Sequence, residues 1–481
     1  MKKYMLALLL STIILVPIHM PVKAVNTSLS DGSIYYVLID RFTNGESEND
    51  KEINIDDPQA FHGGDLQGVI NKLDYIKQLG FTTINLSPVM QSDVYHGFAP
   101  SDYQKVNEQF GKMDILKQLV DAAHEQNIKV ILDMPVSQIS SKHPWVLERP
   151  EWLGEPVSNT WGENLPSPDL TNPKVSNYFL ETANMWLDET GIDGFRLYTN
   201  QYTPIEFIEL FAEHIKTVKS DAITVLDSGG EIEKPNLLLV NNTLKETISS
   251  ILSEPGNSLE PLFEDNLLTE LNDINFVDSV ETVRFTRESV KQGQNPTTRW
   301  KLALTYLYTI PGTPTIYQGS EVPMDNGMDI PGHQMAELNT GEDELRNYME
   351  QLMAIRSEFP AITKGDIQFV DSSGAMVLFK REYDDKSVYI AMNNDKKSQV
   401  ISLADVPDGM QLTGLLQDNI VREHEDGLYR IGLERETADI FIIEEDKGLN
   451  WLFVGFIVLV LGTFVFSVIY LSRKNKKEAR S

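Results

Sequence analysis

Short apolar runs alternate with stretches of helical period along the first three quarters of the chain. The runs lie at 34–39, 83–86, 130–133, 194–197, 223–226, 237–240, 275–278 and 313–317. Each is too short for a core helix, which predicts buried strands. Segments 67–79, 113–126, 173–189 and 297–309 place apolar residues three and four apart and predict amphipathic helices between the strands. Strands alternating with helices imply βα units around a parallel sheet, and eight of them over this length predict a (β/α)8 TIM barrel at 25–365. Residues 134–172 hold Pro, Gly, Trp and Asn with little periodicity. They predict a small subdomain inserted after strand 3. From about Asp366 the texture changes to alternating strands with turns, at 376–381, 388–393, 400–403, 429–433 and 439–443. That predicts a C-terminal all-β sandwich over 366–446.

The two ends carry different patterns. Lys2 and Lys3 precede an apolar run and a Val22-Lys23-Ala24 site, the layout of a signal peptide removed after residue 24. Residues 451–471 hold no charge, and at 1.5 Å per residue they are long enough for a transmembrane helix. Arg473, Lys474, Lys476 and Lys477 follow and predict a cytoplasmic basic tail at 472–481. The expectation is a single-pass membrane protein with its bulk outside the cell, of bacterial and Gram-positive type.

A net charge of −30 excludes nucleic acid and anionic membrane surfaces as partners of the globular part. It leaves neutral ligands and divalent cations. The absence of cysteine excludes a disulfide framework. No feature identifies a protein partner.

Five motifs occur in order. They are Asp40-Arg41-Phe42-Thr43-Asn44-Gly45, His62-Gly63-Gly64-Asp65-Leu66-Gln67-Gly68, Ile84-Asn85-Leu86-Ser87-Pro88, Gly97-Phe98 through Asp102-Tyr103, and Pro311 through Tyr317 with Gly319 and Glu321. With Gly191-Ile192-Asp193-Gly194-Phe195-Arg196-Leu197-Tyr198, they resemble the α-amylase family, glycoside hydrolase family 13, over roughly residues 33 to 445. The resemblance implies a nucleophilic carboxylate, a carboxylic acid and a third carboxylate at the ends of strands four, five and seven. A glycosidic bond is cleaved between two such groups.

This chain departs from the family at those positions. The nucleophile position is Tyr198. The acid position falls on Asp227 or Ser228, and the register is open by one residue. The family's Asn-His-Asp is Ser279-Val280-Glu281. A phenol has a pKa near 10 and is a poor substitute for an ionised acid. The stacking tyrosine after strand two is Phe98, and the third-strand Asn and His are Ser137 and Gln138. Arg196 is unchanged. Arg196, Phe98, Gln138 and Tyr103 are the candidate substrate-binding residues. Trp145, Trp152 and Trp161 lie near segments that rim the family's cleft.

Some family members, including those that form cyclodextrins, bind calcium with the first loop. By resemblance the ligands here are Asn44, Glu46, Asn49, Asp50, Gly63 and Asp65, an oxygen-rich set of the kind Ca2+ takes. The family's commoner calcium site is absent, since Ser137 and Tyr202 replace its ligands. Three functional expectations follow. The first is a membrane-anchored pseudo-glycosidase that binds an α-glucan, another neutral glycan or a partner without hydrolysis. The second is an active α-glucan hydrolase or transferase using a non-standard carboxylate set, Glu281 and Asp227. The third is a structural subunit of a membrane assembly.

Overall fold

A computed structural model describes residues 29–159, 162–227, 237–264, 267, 273–325, 327, 333–340, 343–446, 448 and 451–478. Eight parallel strands form one sheet. They are β1 (Ile34–Val37), β2 (Thr83–Leu86), β3 (Lys129–Pro135), β4 (Gly194–Tyr198), β5 (Ile223–Asp227), β6 (Leu238–Leu239), β7 (Ile274–Phe276) and β8 (Thr313–Tyr317). The order is β6-β5-β4-β3-β2-β1-β8-β7. A parallel bridge between Val240 and Ile274 joins the two edges and closes the ring. All four residues of β1 and of β2 are buried, as expected for a sheet covered on both faces. The (β/α)8 barrel predicted from the apolar runs is therefore present.

Helices follow from local signals. In α4 (Pro173–Thr190), Asn172 caps the start by accepting from the Lys174 N–H, and Pro173 occupies the first position. Gly191 ends the helix at φ 76°, a left-handed conformation that glycine adopts without a Cβ penalty. The helix α8 (Pro296–Thr309) begins in the same way, with Asn295 accepting from the Thr298 N–H. The expected helix at 67–79 is instead two, α1 (Leu66–Ile70) and α2 (Leu73–Gln78). A Cβ on Gly68 would lie 1.8 Å from the Thr43 carbonyl oxygen, so the first turn is pressed against the first loop. The break at Lys72 lets α2 turn and bury Leu73 and Ile76 in the barrel core. The remaining helices around the strands include α3 (Met113–Glu125), α5 (Ile205–Val218), α6 (Asn242–Leu252), α7 (Phe285–Lys291) and α9 (Glu344–Glu358).

Between β3 and α4 the chain forms a short helix, Trp145–Glu148, and a hairpin of Val157–Ser158 with Asn164–Leu165. Beyond α9 and a short helix, Pro360–Lys364, residues 366–445 are all β. A six-stranded antiparallel sheet has the order β9-β10-β11-β16-β13-β14, and β12 pairs with β15 in a second layer. These strands are β9 (Asp366–Ser373), β10 (Met376–Tyr383), β11 (Lys386–Asn393), β12 (Gln399–Leu403), β13 (Met410–Gly414), β14 (Ile420–Arg422), β15 (Tyr429–Leu433) and β16 (Thr437–Glu445). Alternate residues such as Met376, Leu378, Ile401 and Ile431 fill the space between the layers. The sandwich is fastened to the barrel by buried guanidiniums. Arg381 donates to the Thr309 and Gly365 carbonyls, each at 2.6 Å, and Arg299 donates to Asn394 Oδ1 at 2.7 Å.

Two expectations about the ends change. Residues 451–478 form a helix, Trp451–Glu478, whose described side chains run from 455 to 469 and are exposed. Among the described residues no helix is long and apolar enough to cross a membrane. The expected transmembrane helix is therefore not supported. The expected signal peptide, residues 479–481 of the basic tail, Trp161 and Ser228 lie outside the described residues.

Candidate active site at the barrel mouth

The C-terminal ends of barrel strands present side chains at one mouth, where barrel enzymes keep their sites. Tyr198 ends β4 and Asp227 ends β5, and the two are paired in register. Arg196, two residues before Tyr198, lies on the same face of β4 and reaches two carboxylates. One of its nitrogens donates to Asp133 Oδ2 at 2.8 Å, and another to Asp227 Oδ2. Asp133 also accepts from the Tyr36 hydroxyl at 2.6 Å and from Asn85 Nδ2 at 2.7 Å. Burial pushes the Asp133 carboxyl up, and Arg196 opposes that shift. Burial alone would lower Arg196, but the Asp133 and Asp227 carboxylates outweigh it and hold the guanidinium firmly charged.

Glu281 arrives from the turn after β7 and accepts a hydrogen bond from the Tyr198 hydroxyl. Burial, followed by the charge of Glu281, raises the Tyr198 phenol well above its ordinary value. The phenol therefore keeps its proton and serves as a donor. The two carboxylates left at the mouth differ in partner: Asp227 faces a guanidinium and Glu281 faces a phenol. Asp227 occupies the last position of β5.

The expected substrate-binding side chains are placed otherwise. Phe98 is buried and packs on Tyr198, with ring centroids 4.7 Å apart. Gln138 is buried and donates Nε2 to the Phe98 carbonyl at 3.0 Å. Tyr103 is buried, and its hydroxyl donates to the Pro135 carbonyl at 2.6 Å. Trp145 is buried against Trp152 and Tyr178. These four side chains hold the loops beneath the mouth and offer no free face to a sugar. The supporting trio of Tyr36, Asn85 and Asp133 was missed by sequence reasoning, although each lies in a strand run or a quoted motif. Tyr202 was also missed as a surface group. It is 73% exposed on a turn fixed by Asn200, whose Oδ1 accepts from the Tyr202 N–H at 2.9 Å.

The first loop closes on itself. Asp65 Oδ1 accepts from the Gly45 and Gly68 N–H groups, and Oδ2 from the Glu46 N–H and Asn49 Nδ2. Asn44 Nδ2 donates to both Asp50 oxygens at 2.9 Å. Gly63, at φ +93°, brings its backbone close to both of these side chains. Asn49 Oδ1 is buried without a partner. Among the described residues no group of three or more His, Cys, Asp or Glu side chains is placed to hold a metal. The oxygen left over, Asn49 Oδ1, is of the type that suits Ca2+.

Residues 36–161 match the family profile of the α-amylase catalytic domain, and residues 365–441 match that of the α-amylase C-terminal domain. The crystal structure of an Anoxybacillus α-amylase superposes with a TM-score of 0.80 at 35% identity, covering 88% of this chain and 100% of that one. The chain belongs to the α-amylase family. The cyclomaltodextrinase of Thermoanaerobacter pseudethanolicus is 29% identical over 426 residues, 78% of this chain and 72% of that protein. The β/α-amylase of Paenibacillus polymyxa is 30% identical over 443 residues, but this chain spans only 37% of its length. Other relatives are named maltogenic α-amylase and neopullulanase. These are names of working glycosidases, and they overturn the expectation of a membrane-anchored pseudo-glycosidase. That expectation rested on the replacements at Tyr198, Ser279-Val280-Glu281, Ser137, Gln138 and Phe98 taken together.

Proposed function

We propose that this chain acts on α-linked glucans as a hydrolase or transferase of α-amylase type, with Asp227 and Glu281 as its working carboxylates. The observation that carries the reading is their convergence at the mouth, Asp227 on Arg196 and Glu281 on the Tyr198 hydroxyl. Cleavage between two sugars needs one group facing the anomeric carbon and another exchanging a proton with the leaving oxygen. Asp227 and Glu281 are the two groups placed for these roles, and the Tyr198 hydroxyl positions Glu281. Relatives named for maltogenic and cyclomaltodextrin chemistry support a neutral α-glucan as the substrate class.

The test is incubation of the full chain with starch, maltooligosaccharides and cyclomaltodextrins, with products separated by chromatography. Release of maltose or transfer products, lost in both Asp227→Asn and Glu281→Gln, is the expected result. No product from any of these glucans would sink the reading.

The first loop is proposed to hold a structural Ca2+ through Asn44, Glu46, Asn49, Asp50 and the Gly63 backbone. Support comes from the orphaned Asn49 oxygen. The ion would cross-link this loop, and Asp65 already anchors it through four N–H donors.

A further inference from the structure

Arg196 holds one oxygen of Asp227, Oδ2. A carboxylate gripped at one end can still turn, because the outer torsion of an aspartate has no sharp preference. The other oxygen, Oδ1, accepts from Asn242 Nδ2 at 3.4 Å, a long bond that comes from a different element. Two donors on two oxygens fix the plane of the carboxylate, which one donor does not.

Asn242 is the first residue of α6, just past the end of β6, and it lies outside the motifs that mark the other strand ends. The backbone leading to it is held on both sides. The Val240 N–H donates to the Leu226 carbonyl of β5 at 3.0 Å, and the Asn241 N–H donates to the Ile274 carbonyl of β7 at 3.0 Å. The Asn241 side chain accepts from the Leu244 N–H at 3.0 Å and so caps α6. Capping is therefore the work of Asn241, and the Asn242 amide is left to reach the mouth. Leu244, Ile248 and Leu252 are buried and seat the helix on the barrel. Around Asp227, Arg196 on β4 brings a positive charge, and Tyr198 on β4 brings a phenol that keeps its proton. Asn242 brings a neutral donor.

We propose that Asn242 is a positioning residue for Asp227, its amide holding Oδ1 so that the carboxylate keeps one orientation during bond cleavage. This rests on the proposed function, in which Asp227 is one of two working carboxylates. The experiment measures kcat, KM and the pH profile of kcat/KM on maltotriose for the full chain, for Asn242→Ala and for Asn242→Asp, with thermal melts of each. In Asn242→Ala, loss of a hydrogen bond to a carboxylate is expected to lower kcat about tenfold, with KM within about twofold. Asn242→Asp keeps the shape of the side chain but sets a negative charge against Asp227. Its kcat is expected to fall further, and the acid limb of kcat/KM to move to higher pH. A merely structural role predicts full activity for this variant, because an acid in the first turn of a helix favours the helix.

An active wild type, with kcat and the acid limb unmoved in both variants, overturns the positioning role and leaves the two carboxylates standing. So does a loss of activity that only accompanies a lowered melting temperature. A wild type that turns over no maltotriose ends the catalytic reading itself, and the role of Asn242 falls with it.

Discussion

The barrel mouth divides into two halves that have been treated differently. In the half formed by the loops after β1 and β8, family residues are kept and work on the backbone. Asp40 accepts from the His62 and Gly63 N–H groups. Arg41 donates to the His333, Pro58 and Ala60 carbonyls, and Gln318 bridges Leu38 and Arg41. In the half formed by β4, β5 and β7, Tyr198, Asp227 and Glu281 replace the expected set, yet the strands keep their register. A side chain that satisfies buried backbone groups cannot be exchanged cheaply, because each orphaned group costs about 1–3 kcal/mol. A side chain that faces the mouth can change while the fold survives.

This contrast can be broken by substitution. The largest effect is expected at Glu281→Gln, with kcat on maltooligosaccharides down about 10²- to 10⁴-fold and the melting temperature nearly unchanged. A variant as active as wild type would remove Glu281 from the chemistry. Next is Asp133→Ala, which leaves the buried Arg196 short of a carboxylate and costs about 3–5 kcal/mol in denaturant unfolding. In the half after β1 and β8, Asp65→Ala removes the acceptor for four N–H donors and is expected to cost about 1–3 kcal/mol. An Asp65→Ala variant as stable as wild type would remove that acceptor from the stability of the first loop.

Acid sensitivity tests the buried histidines around the mouth. Burial, then the neighbouring charges of His333 and Arg41, lowers His96 from 6.5 to about 3. Burial and Arg284 lower His333 to about 3, and burial lowers His143 to about 4. The unfolded chain therefore takes up these protons first, and stability present above pH 6.5 is lost as pH falls toward 4 and below. Thermal melts should show Tm declining over that range, and a flat profile from pH 6.5 to 4 would contradict the burial of these rings. The smallest effect is calcium. Added Ca2+ should raise Tm by about 2 °C, reversed by a chelator, if the first loop binds it. No shift would leave the loop held by Asp65 alone.

Much of the barrel was legible because its runs are both short and apolar. The strands at 83–86 and 313–317 coincide with their apolar runs residue for residue. The break in the helix at 67–79 was not legible, since it arises from close packing of Gly68 on the first loop. At the site, the sequence located Tyr198, Asp227, Glu281 and Arg196, and the structure brings all four together. It could not show that Phe98, Gln138 and Tyr103 turn inward, because their residue types suit a sugar and a loop carbonyl equally well. Motif letters fix which strand end a residue occupies. The direction of a loop side chain depends on neighbours far along the chain, as with the Gln138 bond to Phe98 across forty positions.

The ring closes at its thinnest point. β6 has two residues, and a single bridge from Val240 to Ile274 joins it to β7. Every other neighbouring pair shares at least two registered positions. Amide protons along this seam should therefore exchange ahead of the rest of the sheet, so that the barrel first comes apart as a split ring.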